Sequence, residues 1–108
     1  MTAGDSANDA APAGGGEACV TRVLEIRNKK GLHARASAKF VQTVEKFDAD
    51  VKVRRGQEVV GGTSIMGLMM LAAAPGTTIV VSAKGAEADA ALAAITELVE
   101  SKFNEEGT

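Results

Sequence analysis

The apolar positions of this chain change period several times, and each change marks an element. From Val20 to Asn28, Leu24 and Ile26 fall on one side and Val23, Glu25 and Arg27 on the other, the alternation of a half-buried strand. Asn28-Lys29-Lys30-Gly31 reads as a turn. The period then lengthens. Phe40, Val41, Val44 and Phe47 share one helical face while Lys39, Gln42, Glu45 and Lys46 take the other, and Asp48 and Asp50 close the helix. Val51 and Val53 alternate with Lys52 and Arg54 as a second strand, and Arg55-Gly56-Gln57 turns the chain into a short third one, Glu58 to Gly61. A Gly-Gly-Thr-Ser start signal precedes a short helix over Ile65–Leu71 with Ser64 as its N-cap. Pro75-Gly76 makes a turn into a fourth strand, Thr77–Ala83, with Ile79 and Val81 inward. Finally Ala88, Ala91, Leu92, Ile95, Leu98 and Val99 trace an amphipathic helix whose first turn carries Glu87 and Asp89, matched to its positive end.

The predicted order is therefore β-α-β-β-α-β-α. Alternating strands imply a sheet with one solvated face and helices on the other. The expected fold class is α+β: an open-faced sandwich of a four-stranded antiparallel sheet with three helices on one face. Residues 1–18 are Ala, Gly, Asp and Ser with almost no large apolar group, so a disordered tail is expected there and one folded domain over 19–108.

Composition narrows the class further. Apolar residues make up 45% of the 108, enough for one core, but aromatics are only 3%, and none of the three Phe falls in a predicted strand. That argues against an RNA-binding sheet, which stacks bases on strand aromatics. No apolar run approaches the roughly 20 residues of a membrane span, and the N-terminus lacks the basic and apolar regions of a secretory signal. The single Cys19 cannot form an internal disulfide, which fits a reducing cytoplasm; a monomer is the default expectation. Charge is uneven along the chain. Residues 1–18 carry three acids and no base, Cys19 to Ser64 ten bases and five acids, and Ile65 to Thr108 two bases and six acids. The basic half suits an acidic protein partner and is too weakly basic for a nucleic-acid binder.

The one histidine, His33, lies in that basic half, where the first strand turns into the first helix. Unbonded amides and the positive dipole end make a helix start an anion site, and Arg35 adds a planar donor fork suited to phosphate oxygens. A neutral imidazole is a competent nucleophile near pH 7, so a phosphohistidine site is coherent here; a cap or plain surface histidine is the competing reading. No metal is expected without a second His and with the Cys distant in sequence, and no cofactor is expected. Ile65, Met66, Leu68, Met69, Met70 and Leu71 wrap nearly all faces of a short helix, which predicts some of them in the core and others in an exposed, adaptable apolar patch.

The segment GLHARASAKFV resembles the active-site signature of the HPr family, Gly-Leu-His-x-Arg-Pro-Ala. GGTSIMGLMMLAAAPGTTIVVSAKG resembles the family's regulatory-serine helix and the strand after it, and the likeness runs from about Cys19 to Phe103 in the family's order of elements. Within it, TSIMGLMMLAAAPG is most similar to the versions found with nitrogen-type phosphotransferase systems of alphaproteobacteria. The resemblance implies a stoichiometric phosphoryl carrier rather than an enzyme. By it, enzyme I, phosphorylated from phosphoenolpyruvate, donates to His33, Arg35 stabilises the phosphate, and a histidine of an enzyme IIA receives. It also implies Ser64 as a target of HPr kinase/phosphorylase, and Ile65, Met66 and Met69 as the docking surface near His33. Ala36 departs from the signature, standing where most relatives carry Pro; looser helix entry is expected, with no phosphate ligand lost.

Overall fold

The computed structural model describes residues 19–104; the expected tail at 1–18 and residues 105–108 lie outside them. The elements are β1 (Cys19–Glu25), α1 (Ala34–Val44), β2 (Asp50–Arg55), β3 (Glu58–Gly61), α2 (Ile65–Met70), β4 (Thr78–Lys84) and α3 (Ala88–Glu100), closed by a 3-10 turn at Lys102–Asn104. The four strands form one sheet in the order β1-β4-β2-β3, antiparallel at each pairing. This is the expected open-faced α+β sandwich.

Register explains the core. Leu24 pairs with Ile79, and Val81 with Val53, which in turn pairs with Val60. Leu24, Ile79, Val81 and Val53 are buried and Val60 lies half-buried against them, so one face of the sheet is apolar. Onto that face α1 packs Ala36, Ser37, Phe40, Val41 and Val44, and α3 packs Ala88, Ala91, Leu92, Ile95, Leu98 and Val99. Both sets follow helical spacing. Full burial of Phe40 contributes on the order of 2–3 kcal/mol. The other face keeps Thr21, Val23, Lys52 and Arg54 exposed.

Helix α2 ends at Met70 rather than Leu71 and β4 spans Thr78–Lys84 rather than Thr77–Ala83; three further boundaries differ from expectation, each for a local reason. β1 ends at Glu25, yet the chain stays on the sheet edge because Ile26 N–H donates to Thr77 O at 2.9 Å and Gly76 N–H to Ile26 O at 2.8 Å. Helix α1 stops at Val44, short of Asp48: Lys46 and Phe47 donate to Thr43 O and Val44 O at 3.2 and 3.1 Å, the tighter bonds that end a helix. Phe47 thus follows the helix, half-buried against the core. Glu87 occupies the N-cap of α3 without capping it by its side chain. Instead Glu87 Oε1 accepts from Asp48 N–H at 2.6 Å and Glu87 N–H donates to Asp48 O at 2.9 Å, which ties the α1–β2 turn to α3.

After α3 the backbone of Lys102, Phe103 and Asn104 turns left-handed, with φ of 59°, 59° and 55°. Non-glycine residues are strained there. Complete burial of Phe103 offsets part of the cost, and the Lys39 ammonium donates to the Phe103 carbonyl. Among the described residues no helix is long and apolar enough to cross a membrane.

Candidate functional site

The loop between β1 and α1 is held from several sides. Gly31 has φ +65°, and a Cβ on it would meet Ala73 O at 2.3 Å, so only glycine permits this approach of two backbones. Leu32 N–H donates to the same Ala73 O at 3.0 Å, and buried Asn28 donates from Nδ2 to Gly31 O at 2.8 Å. Ser37, buried on α1, donates its hydroxyl to Leu32 O at 3.3 Å. Leu32 itself is in the core. The next residue, His33, is thereby delivered to the surface at the start of α1.

His33 is the N-cap of α1, with extended backbone (φ −76°, ψ −178°), and its Nδ1 accepts from Arg35 N–H at 3.2 Å. In a neutral ring that acceptor role leaves the proton on Nε2. Histidine is outside the group of favoured N-caps, Ser, Thr, Asp and Asn, and its lone pair serves as a nucleophile as well as a cap. The ring is half-buried. The first amide bonded in helical register is that of Ser37, to His33 O at 2.9 Å, so the amides of Ala34, Arg35 and Ala36 precede the helical ladder.

Charge along this stretch of sequence has one sign. Arg27, Lys29, Lys30, Arg35 and Lys39 occur between Ile26 and Val44 with no Asp or Glu among them. The Arg35 side chain is exposed, and α1 has no acidic residue in its first turn. A shallow cleft beside the ring is lined by Lys30, Leu32, Ala72, Ala73, Ala74 and Pro75. A dianion arriving at Nδ1 would meet the Arg35 amide at the positive end of α1, on a segment rich in cations.

Ser64, as expected, caps α2. Its exposed side chain accepts from Gly67 N–H at 3.0 Å. A Cβ at position 67 would lie 2.9 Å from Ser64 Oγ and 3.0 Å from Val60, which explains glycine there. Ser64→Ala should cost about 1 kcal/mol and Ser64→Asp, another good cap, much less, read as denaturation midpoints.

Within α2 only Leu68 is buried. Ile65, Met66 and Met69 are 40%, 68% and 39% exposed, but Met70, at 76%, is more exposed than any of them and was not among the expected docking residues. It lies four residues from Met66, so the two share one outward edge. Sequence reasoning also missed Asn28 and Ser37, polar residues used as loop anchors, and Arg55, whose Nη1 donates to Leu71 O at 3.1 Å just beyond α2.

Comparison with known proteins shows the family. A sequence profile described as "PTS HPr component phosphorylation site" matches residues 20–101. The chain belongs to the HPr family of phosphocarriers. One similar HPr, the phosphocarrier protein of Neisseria meningitidis serogroup A, is 51% identical over 82 residues, covering 76% of this chain and 92% of the relative. A phosphocarrier named NPr, from Shewanella violacea, is 44% identical over 84 residues, covering 78% and 92%. Relatives of both names thus match, and they do not separate the nitrogen-type variant from the rest of the family. Among solved structures, HPr of Thermoanaerobacter tengcongensis superposes with a TM-score of 0.77 at 42% identity, covering 81% of this chain and 98% of that one. HPr of Bacillus anthracis gives 0.73 at 36% identity, covering 76% and 98%.

Proposed function

We propose that His33 Nδ1 accepts a phosphoryl group from a phosphohistidine of enzyme I and hands it to a histidine of an enzyme IIA. The observation that carries this is the Nδ1 lone pair directed at the Arg35 amide at the start of α1. In transfer, the N–P bond of the donor breaks, its imidazole keeps the electron pair, and the lone pair of Nδ1 forms the new N–P bond. Phosphoryl oxygens then take the amide that Nδ1 held. Such transfer passes through a loose, in-line transition state that depends on positioning and charge stabilisation. This chain supplies the acceptor nitrogen, the amides and Arg35, and its partners supply the rest, so the protein turns over no substrate alone.

Docking belongs to the exposed apolar edge of α2 at Ile65, Met66 and Met69, beside the basic face. Ser64 is the site for HPr kinase/phosphorylase. Phosphate there would favour the positive helix end and act by adding negative charge beside that surface. The relay draws on phosphoenolpyruvate in the cytoplasm. The nitrogen-type assignment rests on TSIMGLMMLAAAPG, and the enzyme IIA that accepts the label decides it.

The test is incubation with enzyme I and labelled phosphoenolpyruvate, followed by mass mapping. One acid-labile phosphoryl group on His33 is expected; label on any other residue contradicts the proposal. Arg35→Ala should slow acceptance about 10- to 100-fold, the worth of a charge-assisted hydrogen bond in the transition state. Arg35→Lys should recover part of that loss in the same quench-flow assay, because it keeps the charge and loses the fork.

A further inference from the structure

We infer that the backbone amide of Ala36 is an additional ligand of the phosphoryl group, gained through this chain's departure from the family signature. The inference rests on the His33 proposal above and deepens it. The Arg35 amide is engaged by Nδ1, and the Ser37 amide by His33 O. Between them, the Ala36 N–H meets no acceptor among the described residues. Ala36 is also 0% exposed, so water does not serve it either. A buried N–H with neither protein nor water partner is rare and costly.

The direction of that donor is fixed by the helix. First-turn N–H groups point along the axis toward the N-cap, and the N-cap here is the histidine whose Nδ1 already receives the neighbouring amide. A phosphoryl group on Nδ1 brings three strong acceptor oxygens into that space, enough for the Arg35 and Ala36 donors together. Proline at position 36 has no N–H to give. Alanine therefore leaves a donor unsatisfied in the empty carrier and satisfied in the loaded one. Its effect goes beyond looser helix entry: it shifts the carrier toward holding the phosphoryl group. Only hydrogen bonds change, and no covalent step is added.

Ala36→Pro separates the two states. Wild type and Ala36→Pro are mixed in equal amounts with enzyme I and limiting phosphoenolpyruvate, the phosphoryl group is allowed to equilibrate, and each protein's share is read by intact mass. Wild type should hold about ten-fold more, the worth of one charge-assisted hydrogen bond. Ala36→Gly keeps the N–H and should partition like wild type. Independently of any variant, the Ala36 amide proton of the wild type should move strongly downfield on phosphorylation. Equal sharing between wild type and Ala36→Pro, or an Ala36 amide that stays in place while His33 carries phosphate, overturns the inference and leaves the His33 proposal standing. Absence of label on all three proteins overturns both.

Discussion

A His33→Ala protein should fold normally and accept no phosphoryl group from enzyme I, a complete loss with almost no structural cost. The ring is half-buried and contributes no core contact in the buried cluster. The fold gives up the 3.2 Å bond to the Arg35 amide, an N-cap worth about 1 kcal/mol or less. Transfer loses its acceptor atom, and no other histidine exists in the 108 residues to replace it. Circular dichroism with thermal denaturation and the labelling assay, run on one preparation, check both halves. A mutant that still takes up acid-labile label would remove His33 from its role, and one that unfolds would show the ring to be structural.

Gly31→Ala should be the most damaging single methyl near the site, costing about 3 kcal/mol or more by the sum of left-handed strain and a backbone collision. The new Cβ would stand 2.3 Å from Ala73 O and 3.1 Å from Ala74 Cα, and both are main-chain atoms without rotamers to yield. Relief requires the two loops to part, which breaks the Leu32–Ala73 bond and loosens the grip on Leu32, the residue before His33. Stability and acceptance should therefore fall together, in contrast to His33→Ala, where only acceptance falls. Denaturant titration and labelling rate measure the pair. A variant of wild-type stability would mean that the approach of the loops is softer than the geometry states.

These contrasts show which features a sequence can carry. The strands were legible because Val51 and Val53 alternate with Lys52 and Arg54, and Leu24 and Ile26 are followed by Glu25 and Arg27; in β4 the run Ile79-Val80-Val81 is apolar throughout, and the turn at Pro75-Gly76 marks the strand instead. The helices were legible from Phe40-Val41-Val44 and from Ala88 to Val99. Their ends were less so. Where α1 stops depends on tightened bonds at Thr43 and Val44, which apolar spacing does not report. The partners of Glu87 and Asp48 are 39 residues apart, and a pattern read in local windows assigns Glu87 to the helix dipole by default.

At the site itself, position was readable and support was not. His33 falls between a strand and a helix period, so its place at an N-cap followed from the pattern, and with it the anion-binding character of the amides. The anchors did not follow. Asn28 looked like a turn residue and is fully buried, Ser37 interrupts an apolar face and turns out to bond Leu32 O, and Ala73 has no side-chain chemistry to attract notice. Each acts through a backbone group of a distant segment. Met70 was passed over for a different reason: apolarity all round a six-residue helix predicts that some side chains are exposed without saying which.

The proposed transfer depends on a single atom, Nδ1 of the His33 ring, as the place where the phosphoryl group bonds. Heteronuclear NMR of the 15N-labelled protein, loaded through enzyme I, reads this directly from the phosphorus–nitrogen coupling and the shifts of both ring nitrogens. Phosphorus coupled to Nδ1 of His33, with the Arg35 amide moving downfield, is the predicted result. Phosphorus on Nε2, or a His33 ring unchanged while phosphate appears elsewhere in the chain, would contradict it.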